Sequence, residues 1–333
     1  MVWVGSETPK TVEQSIKNWE AQPGVSVHLQ TDTENRNQWI DLKQLEGRPW
    51  AQIADVVRLY PFNEKSGWYM DVDCQPGYEF FGNLEKTTLF RTEPNSLANG
   101  IFYLTSNSDF LSTWKSQITF GLDQENTPVS SATGPGALTR TVYLYSYNFG
   151  VSRSKKDLQL AKFQHFTNWP THFVGSAAFF PKRWREGKIA THYSNASWDD
   201  NQTRPTVGVV NFAKACIWRL RNSPIGPVVD YLRFAVTSRM RLKEKLSWLT
   251  FLAGMSVENS VMSNASSLKD LVGLAESDSE VRQVVIDLKK AFIKCDSPEV
   301  REKLVLAGWK KKRLPHLGEV WVRPTLRGLL DSF

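Results

Sequence analysis

The stretch Ser66-Gly67-Trp68-Tyr69-Met70-Asp71-Val72-Asp73 decides how this chain is read. Aromatic and apolar residues enter a strand, and the run ends in two acids separated by one valine. In an extended backbone residues two apart point the same way, so Asp71 and Asp73 are expected to face one site. Two hard oxygen ligands at the edge of a sheet suit Mg²⁺ or Mn²⁺ bridging a diphosphate. An isolated Asp-x-Asp is also what a solvated strand end looks like, so the surrounding sequence carries the decision.

Immediately upstream, the pattern over 50–60 predicts a helix with Ile53, Val56, Val57 and Tyr60 on its apolar side. Asp55 and Arg58 share one face of it. Such a pair is either a weak surface ion pair or an acceptor and a fixed donor fork for sugar hydroxyls. Farther back, Val2-Trp3-Val4-Gly5 reads as a strand. A helix over 9–22 follows, with Val12, Ile16 and Trp19 spaced for one buried face, and then a second strand over 25–29. Strand, helix, strand is the opening of an α/β nucleotide-binding fold. Downstream, helices are expected around 95–105, 110–121 and 137–147. A strand near 173–180 leads to His192-Tyr193-Ser194-Asn195-Ala196-Ser197-Trp198.

The character changes after Pro205. Helical patterns dominate 206–333, for example over 278–294 and 297–307, and a basic hairpin-like piece covers 308–323. The expected division is therefore a catalytic domain over 1–205 and a mostly helical, basic region over 206–333 that ends in a small winged or hairpin module. The chain's +7 formal charge comes entirely from here, with 21 Lys and Arg against 13 Asp and Glu between 205 and 333 and a nearly neutral remainder. That bias suits a phosphate-rich partner, and equally a solvated basic surface. Cys74, Cys216 and Cys295 are too scattered for a disulfide framework or a metal-ligand motif. No apolar run is long enough to span a membrane and no signal-peptide pattern opens the sequence, so a cytoplasmic protein is expected, bacterial or viral in a host cytosol.

The runs Ala54-Asp55-Val56-Val57-Arg58-Leu59-Tyr60 and Ser66 to Asp73 together resemble the DXD-containing sugar-binding region of a glycosyltransferase family. That family includes yeast-type α-mannosyltransferases and bacterial polysaccharide enzymes, with the large clostridial toxin glucosyltransferases more distantly similar. Its usual form is Ser-Asp-x-x-Arg-Tyr followed by Gly-Gly-x-Tyr-x-Asp-x-Asp. Here Ala54, Leu59 and Ser66 depart from it, and none of these is a presumed ligand. Thr133-Gly134-Pro135 resembles the family's Thr-Gly-Pro turn. His192 with Ser197-Trp198, after Phe180-Pro181, resembles its closing His…Ser-Trp motif. Four motifs in the expected order over roughly 1–200 are far more specific than any one alone.

The resemblance implies a Rossmann-like GT-A core and a metal-dependent, retaining transfer of sugar from a nucleotide-sugar donor, UDP- or GDP-linked, with Mn²⁺ or Mg²⁺. Asp71, Asp73 and His192 would hold the metal. Asp55 and Arg58 would orient the sugar, with Tyr69 and Asn99 on the donor side. Ser197 and Trp198 would bond the departing phosphate, and Trp3-Val4-Gly5 would lie beside the nucleoside. The implied acceptor is a glycan or glycolipid hydroxyl. The alternatives are a modified base in DNA, held by the basic C-terminal region as in some phage enzymes, and a protein acceptor. A non-catalytic sugar-nucleotide-binding protein is a further alternative. No Ser–His–Asp or zinc-type spacing competes.

Overall fold

In a computed structural model of the chain, the described residues are 1–3, 8–31, 39–40, 42–79, 82–93, 96–125, 127–169, 178–193, 209–221, 272–287, 290, 292–314 and 317–333. They fall into two compact units. Residues 1–92, 97–138 and 159–219 form the first, and 93–96, 139–158 and 220–333 the second.

The first unit opens as the sequence implies. Val2–Trp3 (β1) pairs in parallel with Gln30–Thr31 (β2), and Lys10–Glu20 (α1) runs between them. The second strand forms just past the expected 25–29 segment, which has no regular structure. α1 buries Val12, Ser15 and Trp19 along one side. Trp19 Nε1 donates to the Cys74 carbonyl at 2.9 Å, which fastens α1 to the chain just past the acidic pair.

Trp50–Val57 (α2) starts after Pro49, and a 3₁₀ turn, Tyr60–Asn63, follows it. Gly67–Met70 (β3) and Cys74–Pro76 (β4) flank the acids, and Thr87–Glu93 (β5) and Ser96–Leu104 (β6) come next. β6 corrects the helix expected over 95–105. Leu97, Ala98 and all four residues from Ile101 to Leu104 are buried. A strand covered on both faces reads as an unbroken apolar run, which periodicity alone cannot tell from a helix. β6 lies between β3 and β5, and Tyr69 sits opposite Phe102 in the antiparallel β3–β6 pair.

Asp109–Leu122 (α3) is the helix expected over 110–121, capped by Ser108, whose side chain accepts from the Leu111 amide. Val129–Ala132 (α4) and Pro135–Asp157 (α5) follow; α5 takes in the helix expected over 137–147, and from Thr139 onward it belongs to the second unit. It is broken at Gly150, whose φ of 77° suits a residue without a side chain.

Leu158–Leu160 (β7) completes the sheet β3-β6-β5-β7. Phe166–Trp169 (β8), Lys182–Arg185 (α6), Ala190–Tyr193 (β9) and Val209–Arg221 (α7) close the unit. β9 lies between β4, antiparallel, and β8, parallel, so this second sheet is mixed. Most of the strand expected over 173–180 lies outside the described residues, and 178–180 form a turn. Trp19, Met70, Cys74, Phe90, Ile101 and Phe166 pack as one core beneath the acidic turn. Each large side chain removed from water there contributes about 1.5–3 kcal/mol.

In the second unit, helices alternate with a four-stranded sheet ordered β10-β11-β13-β12. Its elements are Val272–Leu274 (β10), Asp278–Ile286 (α8), Phe292–Lys294 (β11), Pro298–Leu306 (α9), Lys310–Leu314 (β12), Gly318–Val322 (β13) and Leu326–Leu330 (α10). The single helix expected over 278–294 is instead α8 followed by β11. Phe292 and Ile293 leave the helical pattern to pair with Val322 and Trp321, and tertiary pairing overrides the local preference. The expected helix over 297–307 is α9, and the expected basic hairpin is β12–β13. No described helix is long and apolar enough to cross a membrane.

Candidate functional site

The acids do not sit at the tip of an extended strand. β3 ends at Met70, and residues 71–73 form a turn in which the Cys74 amide donates to the Asp71 carbonyl at 3.0 Å. Alternation therefore does not align the two carboxylates; a third residue gathers them. His192 Nε2 lies 2.8 Å from Asp73 Oδ1 and 3.8 Å from Asp71 Oδ2. β9 brings it there, because His192 sits opposite Cys74 in the antiparallel β4–β9 pair.

Behind Asp71 lies a buried polar network. Tyr69 Oη donates to Asp71 Oδ1 at 2.6 Å. Arg58 stacks over the Tyr69 ring at 4.7 Å and approaches the same Asp71 oxygen at 3.6 Å. Its other contacts are Asp55 Oδ1 at 2.8 Å and the carbonyls of Ala54 and Asn99 at 3.2 and 2.5 Å. Asp55 also accepts from Asn99 Nδ2 at 3.0 Å and from Thr133 Oγ1 at 2.7 Å. The Asp55–Arg58 pair foreseen on one helical face is thus an internal strut, not a surface ion pair. A buried pair of this kind holds its charges only because nearly every donor and acceptor is matched.

The electrostatics follow from that burial. Burial raises the Asp55 carboxyl above its ordinary value, against the pull of Arg58, Thr133 and Asn99. Burial opposes the charge on Arg58, yet Tyr69, Asp55, Asp71 and Asp73 together hold its guanidinium above the ordinary range. His192 is likewise raised, since Asp73 and then Asp71 outweigh burial and Arg58. Exposure rises outward, from 7% for the Arg58 side chain through 11% for Asp73 and 13% for His192 to 22% for Asp71, so Asp71 is the most solvent-facing of the four.

The donor set fits a divalent cation. Asp73, Cys74 and His192 place one ligand atom each within 4.8 Å of one another. Cys74 is fully buried, with Sγ directed at the Gly100 carbonyl, and burial with the adjacent Asp73 and Asp71 charges pushes its thiol well above the ordinary value. The oxygen and imidazole donors of Asp73, His192 and Asp71 are therefore the ones ready to bind. Carboxylate and imidazole are both ordinary ligands of metal ions.

The structure brings together Asp55, Arg58, Tyr69, Asp71, Asp73, Asn99 and His192. Asn99 arrives on a strand and not on the expected helix. The Trp3 side chain, Val4, Gly5, Ser197 and Trp198 lie outside the described residues. Sequence reasoning missed Cys74, which offered only its place beside Asp73, and Gly100, where a Cβ would come within 2.5 Å of Asp71 Oδ2. It named Thr133 as part of a turn only, and it gave no sign of Asn168, whose Oδ1 lies 2.7 Å from His192 Nδ1.

No protein-family model matches the chain, and no curated protein does. One solved structure, described as "PaToxG Glycosyltransferase", aligns over 43% of this chain and 66% of its own, with 18% identity and a TM-score of 0.36. The alignment thus spans just under two thirds of that protein. A likeness of that extent assigns no activity.

Proposed function

We propose that this chain is a cation-dependent glycosyltransferase that moves a sugar from a nucleoside-diphosphate donor to a hydroxyl acceptor, with retention of anomeric configuration. One observation carries the reading: His192, from a distant strand, meets Asp73 and Asp71 at the solvent edge of a buried Arg58–Asp55 strut. The resemblance of the same residues to the DXD motif supports it independently of the geometry.

Asp73 and His192 would hold Mn²⁺ or Mg²⁺, with Asp71 beside them. A cation there supplies charge neutralisation for the departing diphosphate. Arg58 keeps Asp71 aimed, and Asp55 with Asn99 keeps Arg58 in place, so these residues act on the sugar side chiefly by positioning. Tyr69 holds Asp71 Oδ1, while Asp71 Oδ2 is the oxygen turned toward His192. The bond from the anomeric carbon to the phosphate oxygen breaks as the bond to the acceptor oxygen forms. The acceptor's proton passes to the leaving phosphate, so no carboxylate nucleophile is assigned. Ser197, Trp198 and the Trp3-Val4-Gly5 segment remain the proposed contacts for the phosphate and the nucleoside.

A donor screen tests this directly. Thermal shift with UDP, GDP and their sugars should show stabilisation by one base, larger with Mn²⁺ than without. Nucleoside diphosphate release should then fall by about two orders of magnitude or more in Asp73→Asn. Release unchanged in that variant would overturn the assignment. Binding without any release would leave the non-catalytic alternative.

The acceptor is a glycan or glycolipid on the resemblance alone. A second reading, DNA, is favoured by β12, whose Lys310, Lys311, Lys312 and Arg313 are all exposed with Glu319 paired to Lys311 at 2.7 Å. Lysines on an open sheet edge also block strand addition, so charge alone does not choose between the acceptors. DNA affinity that falls steeply with salt, and is lost on removing residues 266–333, would choose the second.

A further inference from the structure

His192 is gripped at both ring nitrogens, and the partner on the inner side carried no signal in the sequence. Asn168 and His192 are direct neighbours in the parallel β8–β9 pair, and Asn168 Oδ1 lies 2.7 Å from His192 Nδ1. An amide oxygen only accepts, so the proton of that contact belongs to Nδ1. The other nitrogen, Nε2, lies 2.8 Å from an Asp73 carboxylate oxygen, which also only accepts, so without a cation it too carries a proton, and that proton is the one a cation would displace. Phe166, two residues before Asn168 on the same strand, stacks against the imidazole at 6.4 Å and 23° and resists its rotation.

We infer that Asn168 is a positioning residue that keeps the proton on Nδ1 of His192 and so reserves Nε2 for a cation. The inference rests on reading His192 as a cation ligand. Histidines that bind metals generally hand their other N–H to a fixed oxygen, and loss of that oxygen costs about 10–100-fold in affinity. The opposite amide orientation would leave Nδ1 without a proton, and Nε2 would then hold the ring's last proton against the cation. The two arrangements differ by the proton on Nδ1.

Nitrogen-15 spectra of histidine-labelled, metal-free protein read that proton directly. Nδ1 is expected to be protonated in the wild type and in Asn168→Asp, which keeps the acceptor oxygen. In Asn168→Leu Nδ1 should lose its proton, while Nε2, against Asp73, keeps one. Titration with Mn²⁺ alone, followed by electron paramagnetic resonance, should show wild-type or tighter affinity for Asn168→Asp and at least about tenfold weaker affinity for Asn168→Leu. An unprotonated Nδ1 in the wild type overturns the inference, as does an Asn168→Leu protein that folds and binds Mn²⁺ as the wild type does. Should Asn168→Leu fail to fold, the wild-type and Asn168→Asp spectra decide. A wild type that binds no Mn²⁺ overturns the cation reading by itself, while the position of the Nδ1 proton still decides the role of Asn168.

Discussion

Thr133 Oγ1 donates to Asp55 Oδ2 at 2.7 Å, across 78 residues of sequence. Both partners are buried, so the hydroxyl serves the carboxylate where water does not readily replace it. Removing the donor while keeping the shape, as in Thr133→Val, should cost about 1–3 kcal/mol of stability, because a buried charged acceptor loses a partner. Thr133→Ser should restore most of it. Urea denaturation of the three proteins checks this, and equal stability of the valine and serine variants would remove the Thr133 hydroxyl from the network.

Tyr69 makes a different prediction, since its ring and its hydroxyl do separate things. The ring stacks on Phe102 at 4.8 Å and carries Arg58 on its other face, whereas the hydroxyl reaches Asp71. Tyr69→Phe keeps the packing, and its stability loss should stay within about 1.5 kcal/mol. Affinity for Mn²⁺ should nevertheless fall about tenfold, because Asp71 loses the contact that orients it. Isothermal titration with Mn²⁺ alone measures this. An unchanged affinity would confine Tyr69 to packing.

These two residues show how far the sequence could be read. Asp55, Arg58, Asp71, Asp73 and His192 were visible because each belongs to a motif with chemistry attached, and they do converge. The opening strand–helix–strand order was visible because α1 has a clean apolar period, although the second strand pairs at 30–31 and not over 25–29. β6 was not, since a strand buried on both faces has no alternation to detect, and Asn99 was misplaced with it. Asn168 was invisible for another reason. Its importance comes only from lying beside His192 across a parallel strand pair, a neighbour relation that no local pattern encodes. The turn at 71–73 was missed because alternation in an extended chain was assumed to do what His192 in fact does.

Gly100 is a test of how closely the site is built. Its backbone carbonyl accepts the Asp71 amide at 2.8 Å, and the Asp71 carboxylate lies over the space a side chain would occupy. A Cβ at that position would stand 2.5 Å from Asp71 Oδ2, closer than such atoms approach, and a tight 3.2 Å from its Cγ. Gly100→Ala should therefore turn the Asp71 carboxylate out of place and weaken Mn²⁺ binding about tenfold or more. Gly67→Ala, on the strand paired with β6, meets nothing within 4 Å and serves as the control with unchanged affinity. Wild-type affinity in Gly100→Ala would mean that Asp71 has room to move without cost.

Within the second unit, Asp278 joins three helices and makes the stability of that unit depend on pH. Tyr147 Oη donates to its Oδ1 at 2.6 Å, and Lys303 Nζ and Arg282 Nη2 reach its Oδ2 at 3.1 and 3.4 Å. The Tyr147 hydrogen bond, the largest influence, is opposed by burial, and with the help of Lys303 and Arg282 it holds the carboxyl below its ordinary value. In the unfolded chain it titrates near pH ~3.9. A carboxyl depressed on folding stabilises the folded form fully above that unfolded value, and the contribution disappears as pH falls through the folded one. Asp278→Asn should therefore be less stable than the wild type at pH 5 to 7 by a constant amount, kept to about 1 kcal/mol by solvent screening of a side chain one-third exposed. The gap should close progressively below about pH 4. Tyr147→Phe, which removes the strongest of the three contacts, should reproduce part of the same pH dependence. Denaturant titrations at pH 7, 5 and 3 decide the matter, and a wild-type advantage that persists unchanged at pH 3 would show that Asp278 contributes through packing and not through its charge.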